Sequence, residues 1–373
     1  MNNKHKKICF ITATRAEYGL LKWTMKDIIA SGLFQFQLIV TGAHLLTEQG
    51  HTIDTISDDG FSITSIVDVS LDNSSPKSIA ESMGKMSESF SNAFSILSPD
   101  YIVVLGDRYE LLPIVNTAFI MQIPIIHISG GDITEGAIDD GIRNAVTMLA
   151  TYHFPGTAES SKNIIRMRNS DKNIWVVGEP GLDFFTKEDL LTRKELEGNL
   201  HLNSNNKWVL FTLHPETKQN LDYNNLSIKN SIEALLSIDD IQIVATYANT
   251  DFGGQFINQY LESIANDHPN KLKVIPSLGN KRYLSFMKQV SFVIGNSSSG
   301  IIEAPMLGIP VINIGDRQKG RHMCNNIIQS NNSKASITSN IKKALNSQKQ
   351  KPDYYWGDGH TSEKIVSILT KVL

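Results

Sequence analysis

The sequence predicts an α/β protein made of two doubly wound parallel-sheet domains. Short runs rich in β-branched residues recur between stretches that carry apolar residues at helical spacing, which is typical of parallel sheets covered by helices. This alternation stops near residue 186 and then begins again, and 373 residues are enough for two domains of ordinary size. We therefore expect two such domains that face each other across a cleft.

The first half of the chain contains five apolar runs of strand length and four amphipathic stretches. The runs are short and continuous, as expected for strands that are buried on both faces of a parallel sheet. The predicted strands are 8–12, 37–40, 101–105, 124–128 and 174–177, and the predicted helices are 17–30, 76–97, 111–122 and 139–151.

The second half repeats this organisation. Its predicted strands are 207–213, 241–245, 273–275, 292–294 and 310–314, and its predicted helices are 224–237, 255–266, 281–288 and 300–307. The polar stretch 187–206 is predicted to be the covalent link between the halves. A last amphipathic stretch, 361–373, is predicted to be a helix that can pack on either domain. The predicted domains are 1–186 and 187–357, followed by a C-terminal segment, 358–373.

Composition and charge exclude several classes of function. A net charge of -3 provides no basic excess to neutralise a nucleic-acid backbone, so we expect no nucleic-acid partner. The two cysteines, Cys9 and Cys324, are too few for a disulfide framework or a CxxC metal site, and a reducing cytoplasm fits them best. The chain has no run near the roughly 18 apolar residues of a membrane span, and the apolar stretch 8–11 is too short for a signal peptide.

Open α/β sheets bind ligands beyond the carboxyl ends of their strands, so charged residues there are candidates for function. Arg15 follows the first strand where a helix begins, and it is either an anion clamp beside free N–H groups or an ordinary surface arginine. Asp107, with Arg108 beside it, follows the strand 101–105. Its carboxylate is either a catalytic acid or base, or the N-cap of the next helix.

The strand 124–128 is followed by four carboxylates and one arginine. These residues are Asp132, Glu135, Asp139, Asp140 and Arg143. Such crowding can spread the pKa values of carboxyl groups, which favours acid–base chemistry. We expect one of Asp139 and Asp140 to cap the following helix, which leaves the other to be explained by function.

In the second half, His214 stands at a strand end, where it is either a core histidine or a group that donates to a phosphate or relays a proton. The most specific local signal is the segment 295–303, a strand followed by a turn of small residues and a helix. The hydroxyl and N–H groups of Ser297 and Ser298 suit a diphosphate, and Glu303, expected in the first helical turn, suits two ribose hydroxyls. Capping of the helix by serine is the alternative.

Three basic residues, Arg317, Lys319 and Arg321, follow the last strand and complete a pattern typical of a nucleotide-diphosphate site. The sequence has no GxGxxG after a strand, no P-loop and no HExxH motif, so dinucleotide binding has no support. We expect no redox cofactor.

Taken together, the motifs resemble those of the hydrolysing UDP-N-acetylglucosamine 2-epimerases, the enzymes that supply N-acetylmannosamine for sialic acid synthesis. Nearly the whole chain takes part. The matching segments, in family order, are Thr14-Arg-Ala-Glu-Tyr18, Thr41-Gly-Ala-His44, Gly106-Asp-Arg108, His127-Ile-Ser-Gly-Gly-Asp132, Ile138-Asp-Asp140, Gly178-Glu-Pro-Gly181, His214-Pro215, Asn249-Thr-Asp251, 295–303, 317–321 and Trp356-Gly-Asp-Gly359. The non-hydrolysing epimerases differ at the first, the third and the arginine-rich segments.

The resemblance implies the GT-B architecture, in which two Rossmann-like domains hold the nucleotide sugar between them and the C-terminal helix usually crosses back to the first domain. It implies an enzyme that needs no metal or cofactor and forms a homodimer or homotetramer. The residues it implies at the UDP moiety are Arg15, His214, Asn249, Ser297, Ser298, Glu303 and Arg317. Those it implies around the sugar are Asp107, Asp132, Asp139 and Asp140, with Arg108 and Arg143 also binding substrate.

The implied reaction couples removal of the weakly acidic C2 proton to departure of UDP from C1, through a 2-acetamidoglucal. Water then adds at C1, and a proton returns to C2 on the opposite face. Asp107 and its neighbours, with His214, are the candidates for proton transfer. Many relatives have a catalytic glutamate where this chain has Ser129. A hydroxyl needs activation to act as a base near neutral pH. Asp132 is therefore expected to perform the role that the glutamate has in those relatives.

Several functions therefore stay open. We expect first a hydrolysing 2-epimerase of UDP-N-acetylglucosamine that serves sialic acid synthesis for a capsule or surface glycan. The alternative is the same reaction on UDP- or GDP-N,N'-diacetylbacillosamine for legionaminic acid, because Ser129 can mark a sub-branch with a different sugar. A GT-B glycosyltransferase and a non-catalytic nucleotide-sugar sensor are the remaining alternatives.

Overall fold

Two compact units make up the chain. The computed structural model describes residues 5–46, 52–69, 75–135, 138–249 and 251–373. The first unit comprises Met1–Asp132, Asp139–Asp183 and Gly359–Leu373, and the second comprises Ile133–Ile138 and Phe184–Asp358. Residues 133–138, which the sequence places inside the first domain, belong to the second unit. The main-chain N–H of Glu135 donates to the carbonyl oxygen of Lys319, 3.0 Å away, and so ties this segment to the second unit.

Strands and helices alternate along most of the described parts of both units. The strands are β1 (Lys6–Thr12), β2 (Phe34–Thr41), β3 (Ser65–Val67), β4 (Tyr101–Leu105), β5 (Ile125–Ile128), β6 (Tyr152–Phe154), β7 (Lys207–Thr212), β8 (Ile241–Thr246), β9 (Leu272–Ile275), β10 (Phe292–Gly295), β11 (Val311–Ile314) and β12 (Ile327–Ser330). The helices are α1 (Arg15–Ser31), α2 (Ile53–Asp58), α3 (Pro76–Leu97), α4 (Leu111–Ile120), α5 (Asp139–Leu149), α6 (Ala158–Arg168), α7 (Phe184–Lys187), α8 (Arg193–Leu200), α9 (Leu221–Leu236), α10 (Gly254–Asp267), α11 (Gly279–Gln289), α12 (Ser298–Leu307), α13 (Lys334–Asn346) and α14 (Thr361–Val372). The alternation is interrupted where α6, α7 and α8 follow one another and where β12 follows β11 directly.

Each unit is built on a six-stranded sheet whose strand pairs are all parallel. The strand orders are β3-β2-β1-β4-β5-β6 and β12-β11-β10-β7-β8-β9. Both sheets therefore have the same doubly wound order, and the direction of winding changes between β1 and β4 in one and between β7 and β10 in the other. The carboxyl ends of these four strands are where such sheets bind ligands.

Helices cover both faces of each sheet, so the strands are apolar on both sides. Along β1, Ile8 and Phe10 point into one core, whereas Cys9 and Ile11 point into another on the opposite face. Strand β7 alternates in the same way between two cores of the second unit. Continuous apolar runs, rather than alternating ones, result from this double burial, and they are the pattern by which the sequence predicts these strands.

The C-terminal helix α14 belongs to the first unit. Ile365 and Leu369 are buried in a core of that unit. At the start of the helix, the N–H groups of Thr361 and Ser362 donate to the two carboxylate oxygens of Asp183, at 2.8 and 2.7 Å. The carboxylate thus supplies the acceptor that free N–H groups at a helix start need, and its negative charge is favourable there.

Two predicted elements are wrong. Residues 174–177 do not form a strand: Ile174 makes an isolated bridge to His153, and the short strand β6 occupies the edge of the sheet instead. Residues 187–206 are not simply a polar link. They contain α8, which a capping box between Thr192 and Glu195 begins and whose Leu196 is fully buried in the second unit.

The other predicted strands and helices agree with observed elements to within three residues at either end. Prediction missed the three-residue strands β3 and β6, the edge strand β12 and the helices α2, α6, α7 and α13. Among the helices that the structure describes, none is both long and apolar enough to cross a membrane.

Candidate functional site

Acidic residues from three segments of the first unit contact one buried guanidinium. Arg143 lies on α5 and its side chain is 1% exposed. It is hydrogen-bonded to the carboxylate of Asp107, and its Nη1 donates to the carbonyl oxygen of Asp132 at 2.8 Å and lies 3.5 Å from Asp140 Oδ1. We call these four residues the Arg143 cluster. The structure therefore brings together four of the residues that the sequence singles out.

The charges of the Arg143 cluster compensate one another. Burial alone would lower the pKa of Arg143, but the charges of Asp107, Asp132 and Asp140 outweigh it and raise the pKa. The guanidinium therefore stays charged, and its planar fork fixes the direction of the Asp107 carboxylate. The side chain of Asp107 keeps 24% exposure, so this carboxylate is accessible from solvent.

Helix capping does not explain these carboxylates. Helix α4 begins at Leu111 with Glu110 in the N-cap position, so Asp107 is not its cap. Helix α5 begins at Asp139, which places both Asp139 and Asp140 inside its first turn rather than at the cap that the sequence predicts for one of them. Both are half-buried there, and the helix dipole favours their negative charge.

Asp132 is held by a second contact. Its Oδ1 accepts a hydrogen bond from Ser160 Oγ at 2.5 Å, and the residue is 8% exposed. Glu135, the fourth carboxylate of the predicted group, is exposed and belongs to the second unit, where it pairs with Lys319 at 3.4 Å. Glu135 is therefore assigned to a different unit from the Arg143 cluster.

A second charged group lies after β1 and β4. Helix α1 begins at Arg15, whose side chain is exposed, and Thr14 and Glu17 form a capping box at its start. Glu17 is 5% exposed, and burial, with the charge of Glu110, raises its pKa to about 7. Arg108 lies 3.4 Å from the buried Glu110 carboxylate, so its guanidinium is partly occupied by an internal ion pair.

Sequence reasoning missed His127 as a residue that positions the site. His127 is fully buried, and its Nε2–H donates to the carbonyl oxygen of Gly106 at 2.9 Å, while Nδ1 accepts from Thr147 at 3.2 Å. Burial lowers its pKa to about 4, so the ring is neutral. It thereby fixes the residue that precedes Asp107. The sequence signal that could have identified His127 is its position near the end of β5, the strand that pairs with β4.

In the second unit, His214 is fixed by two neighbouring segments. Asn296 Oδ1 accepts from the His214 N–H at 2.7 Å, and Asn296 Nδ2 donates to the His214 carbonyl at 2.9 Å. The N–H of Asn249 donates to His214 Nδ1 at 3.0 Å. Burial, with the charge of Arg317, lowers the pKa of His214 to about 3. The ring is therefore neutral, with its proton on Nε2, and it can donate one hydrogen bond from that atom.

Asn296 also holds the basic segment. Its carbonyl oxygen accepts from Arg317 Nη1 at 3.2 Å and from Gln318 Nε2 at 2.9 Å. Arg321 in turn donates to Gln318 Oε1 at 2.9 Å. The structure thus brings Arg317 to the end of β10, whereas the exposed Lys319 is paired with Glu135. Asn296 was not among the predicted site residues, although it lies directly between Gly295 and Ser297.

The serine-rich turn begins α12. Ser297 is the N-cap of α12, and its hydroxyl accepts from the N–H of Ser299 at 3.4 Å. The Ser297 hydroxyl therefore caps the helix, as the alternative interpretation of this segment predicts. Ser298 opens the helix and is half-buried. Gly295 has a φ of 134°, and a Cβ there would lie 1.8 Å from the Thr212 carbonyl oxygen, so only glycine allows this turn.

Glu303 lies in the second turn of α12, not in its first turn as predicted, because the helix begins at Ser298. Burial raises the pKa of its carboxyl group. Asn249 Nδ2 donates to Asp251 at 2.5 Å, and Thr250, part of the same predicted motif, lies outside the described residues. Within the described ranges, no group of three or more His, Cys, Asp or Glu side chains has the geometry to hold a metal ion.

Comparison with known proteins concerns the chain as a whole. A family model described as UDP-N-acetylglucosamine 2-epimerase matches residues 26–370. The chain is 37% identical over 325 residues to the GDP/UDP-N,N'-diacetylbacillosamine 2-epimerase (hydrolyzing) of Campylobacter jejuni, covering 87% of this chain and 84% of that protein. It is 33% identical over 367 residues to the UDP-N,N'-diacetylbacillosamine 2-epimerase (hydrolyzing) of Legionella pneumophila, covering 98% and 96%.

A solved structure has the same fold. The UDP-GlcNAc 2-epimerase of Neisseria meningitidis, crystallised with UDP-GlcNAc, superposes with a TM-score of 0.81 at 17% identity, covering 98% of this chain and 100% of that one. This likeness confirms the GT-B architecture of two Rossmann-like domains that the sequence predicts.

Proposed function

Because the chain belongs to the UDP-N-acetylglucosamine 2-epimerase family, we propose that it is a hydrolysing 2-epimerase whose substrate is UDP-N,N'-diacetylbacillosamine. The reaction releases UDP and a 2,4-diacetamido-2,4,6-trideoxy sugar inverted at C2. The substrate differs from the UDP-N-acetylglucosamine expected first from the sequence. The choice of UDP-N,N'-diacetylbacillosamine rests on the 37% and 33% identity to two enzymes named for diacetylbacillosamine.

The observation that carries the reaction is the Arg143 cluster at the ends of β4 and β5. Elimination of UDP across C1 and C2 needs a base for a weakly acidic proton, and hydration needs an acid on the other face of the sugar. An accessible carboxylate on Asp107, fixed by a buried guanidinium, suits one of these transfers. The same guanidinium donates to the main-chain carbonyl of Asp132 and lies 3.5 Å from the Asp140 carboxylate, and these two residues supply further carboxyl groups.

The leaving group needs hydrogen-bond donors and positive charge, and the second unit supplies both. His214 is neutral and offers Nε2–H, while Arg317 is fixed beside the start of α12. The free N–H groups of that helix start attract an anion. As UDP departs, negative charge grows on its β-phosphate, and donors that are already oriented stabilise this charge without reorganising.

Proton NMR in heavy water tests the proposal. The purified protein is incubated separately with UDP-N,N'-diacetylbacillosamine, its GDP analogue and UDP-N-acetylglucosamine, without acceptor or added metal. We expect free UDP and a C2-deuterated product from the first substrate, with kcat/KM at least about tenfold above that for UDP-N-acetylglucosamine, or about 1.4 kcal/mol in transition-state binding.

The other outcomes identify the alternatives. Turnover of UDP-N-acetylglucosamine alone would restore the substrate first expected from the sequence. UDP release that requires an added acceptor would indicate a glycosyltransferase, and tight binding without product after long incubation would indicate a sensor. A preference for the GDP sugar would refute the uridine assignment alone.

A further inference from the structure

A half-buried hydroxyl and a buried carboxylate form a pair at the end of β5 that the proposed reaction does not yet use. Ser129 follows β5 directly, and its Oγ donates to Glu179 Oε2 at 2.7 Å. Glu179 is 5% exposed, whereas Ser129 is half-buried. The hydroxyl is thus the more accessible member of the pair, with the carboxylate behind it.

The main chain at Ser129 has an unusual conformation that a hydrogen bond holds in place. Ser129 has a φ of 58°, in the left-handed region that glycine occupies without strain. Its N–H donates to the Phe154 carbonyl oxygen at 3.0 Å, which fixes this conformation at the sheet edge. A serine at such a position carries a conformational cost that glycine would avoid, and costs of this kind concentrate at functional sites.

The carboxylate of Glu179 occupies space that a glycine leaves open. A Cβ at Gly156, after β6, would lie 1.8 Å from Glu179 Oε1 and 2.5 Å from Cδ. Any larger residue at 156 would displace the carboxylate from Ser129. The loop after β6 and the hydroxyl after β5 therefore hold Glu179 between them.

The position of the pair suits chemistry on a ligand of the first unit. Strand β5 lies between β4 and β6, so Ser129 is at the same carboxyl edge as Asp107, which follows β4. A hydroxyl that donates to a carboxylate can take up a proton while it gives its own away, and this is how an adjacent base activates a weakly acidic hydroxyl.

We propose that Ser129 and Glu179 form a proton relay for the elimination step, an inference that rests on the proposed function. The proton at C2 of the sugar passes to Ser129 Oγ while the hydroxyl proton of Ser129 passes to Glu179 Oε2. The electrons of the C2–H bond form the C1=C2 double bond, and those of the C1–O bond leave with UDP. The carboxylate becomes a neutral carboxyl group, which returns its proton to solvent through Ser129 before the next turnover. Ser129 is then a catalytic residue, and Glu179 acts through it.

Three variants test the relay: Ser129→Ala, Glu179→Gln and the double variant. Gln keeps the volume of the Glu179 side chain, and Ala removes only an oxygen atom from Ser129. Glu159→Gln, at a half-exposed acid on α6, is the matched control. For each protein, kcat and KM for UDP-N,N'-diacetylbacillosamine are measured, with UDP affinity by calorimetry and secondary structure by circular dichroism.

We expect each single variant to lower kcat by about 100-fold or more, as loss of general base catalysis does. KM and UDP affinity should stay within about twofold, and the double variant should be no slower than the slower single one, because both residues serve one transfer. Glu159→Gln should match the wild type.

Two results would overturn the relay while the proposed function stands: an active wild type whose Ser129→Ala variant keeps its kcat, or variants that lose UDP affinity and secondary structure together with kcat. A wild type that releases no UDP from any of the sugars would overturn the proposed function and the relay with it.

Discussion

The side-chain amide of Asn296 and the main chain of His214 form a reciprocal pair of hydrogen bonds, at 2.7 and 2.9 Å. His214 follows β7 and Asn296 follows β10, so the pair joins two adjacent strand ends where the winding of the second sheet reverses. The Asn296 carbonyl also accepts from Arg317. One asparagine thus positions both the histidine and the arginine that we propose for UDP.

Replacing Asn296 should therefore weaken UDP binding without removing any group that is proposed to touch UDP. We expect Asn296→Ala to lower UDP affinity by about 10- to 100-fold, because each lost hydrogen bond leaves a partly buried main-chain group unpaired. Calorimetry with UDP measures it, and Asn205→Ala, at an exposed loop position, is the control. Unchanged affinity in the Asn296 variant would mean that the pair does not organise a nucleotide site.

Direct replacement of the proposed UDP contacts should have a related effect. Arg317→Ala removes a charge from the start of α12, and Ser297→Ala removes a hydroxyl there, so both should bind UDP more weakly. The arginine should matter more, because charge-assisted hydrogen bonds are about twice as strong as neutral ones. Lys288→Ala, at an exposed position near the end of α11, serves as the control. Equal UDP affinity of wild type and both variants would exclude the nucleotide from this helix start.

Asp107 is the carboxylate most directly fixed by Arg143 and should be needed for turnover. Asp107→Asn keeps the shape of the side chain but removes its capacity to accept a proton. We expect a loss in kcat of about 100-fold or more, with UDP affinity close to that of the wild type. Steady-state kinetics and calorimetry give the two values, and retained turnover would remove Asp107 from the chemistry.

Glu17 should make the fold less stable as the pH rises. Its folded pKa of about 7 lies above the ordinary value of 4.5, so the folded state binds the proton more tightly than the unfolded state. The contribution of this proton to the free energy of unfolding is present in full below pH 4.5. It is lost as the pH rises to about 7, which lowers the free energy of unfolding by an amount on the order of 3 kcal/mol. Glu17→Gln should therefore gain stability relative to the wild type between pH 5 and pH 8. Chemical denaturation at both pH values measures the difference, and the same offset at both would contradict the prediction; Glu159→Gln is the control.

His127 should have the opposite pH dependence. Its folded pKa of about 4 lies below the ordinary value of 6.5, because burial disfavours the charged form of the ring. Stability from this group is complete above pH 6.5 and is lost as the pH falls towards 4, by about 2 kcal/mol at pH 5. His127→Gln should be less stable than the wild type at pH 7.5 but should lose less stability on acidification. Thermal melts over this range test it, with the exposed His268→Gln as reference; parallel curves would refute it.

Much of the fold could be predicted because both sheets bury their strands on two faces. Double burial produces continuous apolar runs such as 101–105, and these stand out against amphipathic helices. The same signal was misleading at 174–177, where an apolar run makes only one bridge at the sheet edge. Helix α8 was missed because two buried leucines, Leu196 and Leu200, are hidden in a polar stretch. At 174–177 and at α8, tertiary packing therefore overrode the local preference of the sequence for secondary structure.

The candidate site was only partly predictable. Position at a strand end identified Asp107, His214 and the serine turn, since the topology of parallel sheets gathers strand ends at one edge. It did not distinguish residues that meet a ligand from residues that hold others in place. Asn296 and His127 belong to the second kind, and their partners lie 82 and 21 residues away in the chain.

By itself, the sequence determined the two doubly wound sheets and the family, because apolar periodicity and ordered motifs are local features of the chain. Only the tertiary structure decided which charged groups meet. Asp107 and Arg143 are 36 residues apart, and Ser129 and Glu179 are 50 apart. Their pairing depends on β4, β5 and β6 being neighbours in the sheet, and on a glycine at 156 that leaves room for a carboxylate. Contacts of this kind are set by packing across the fold, which local sequence patterns do not encode.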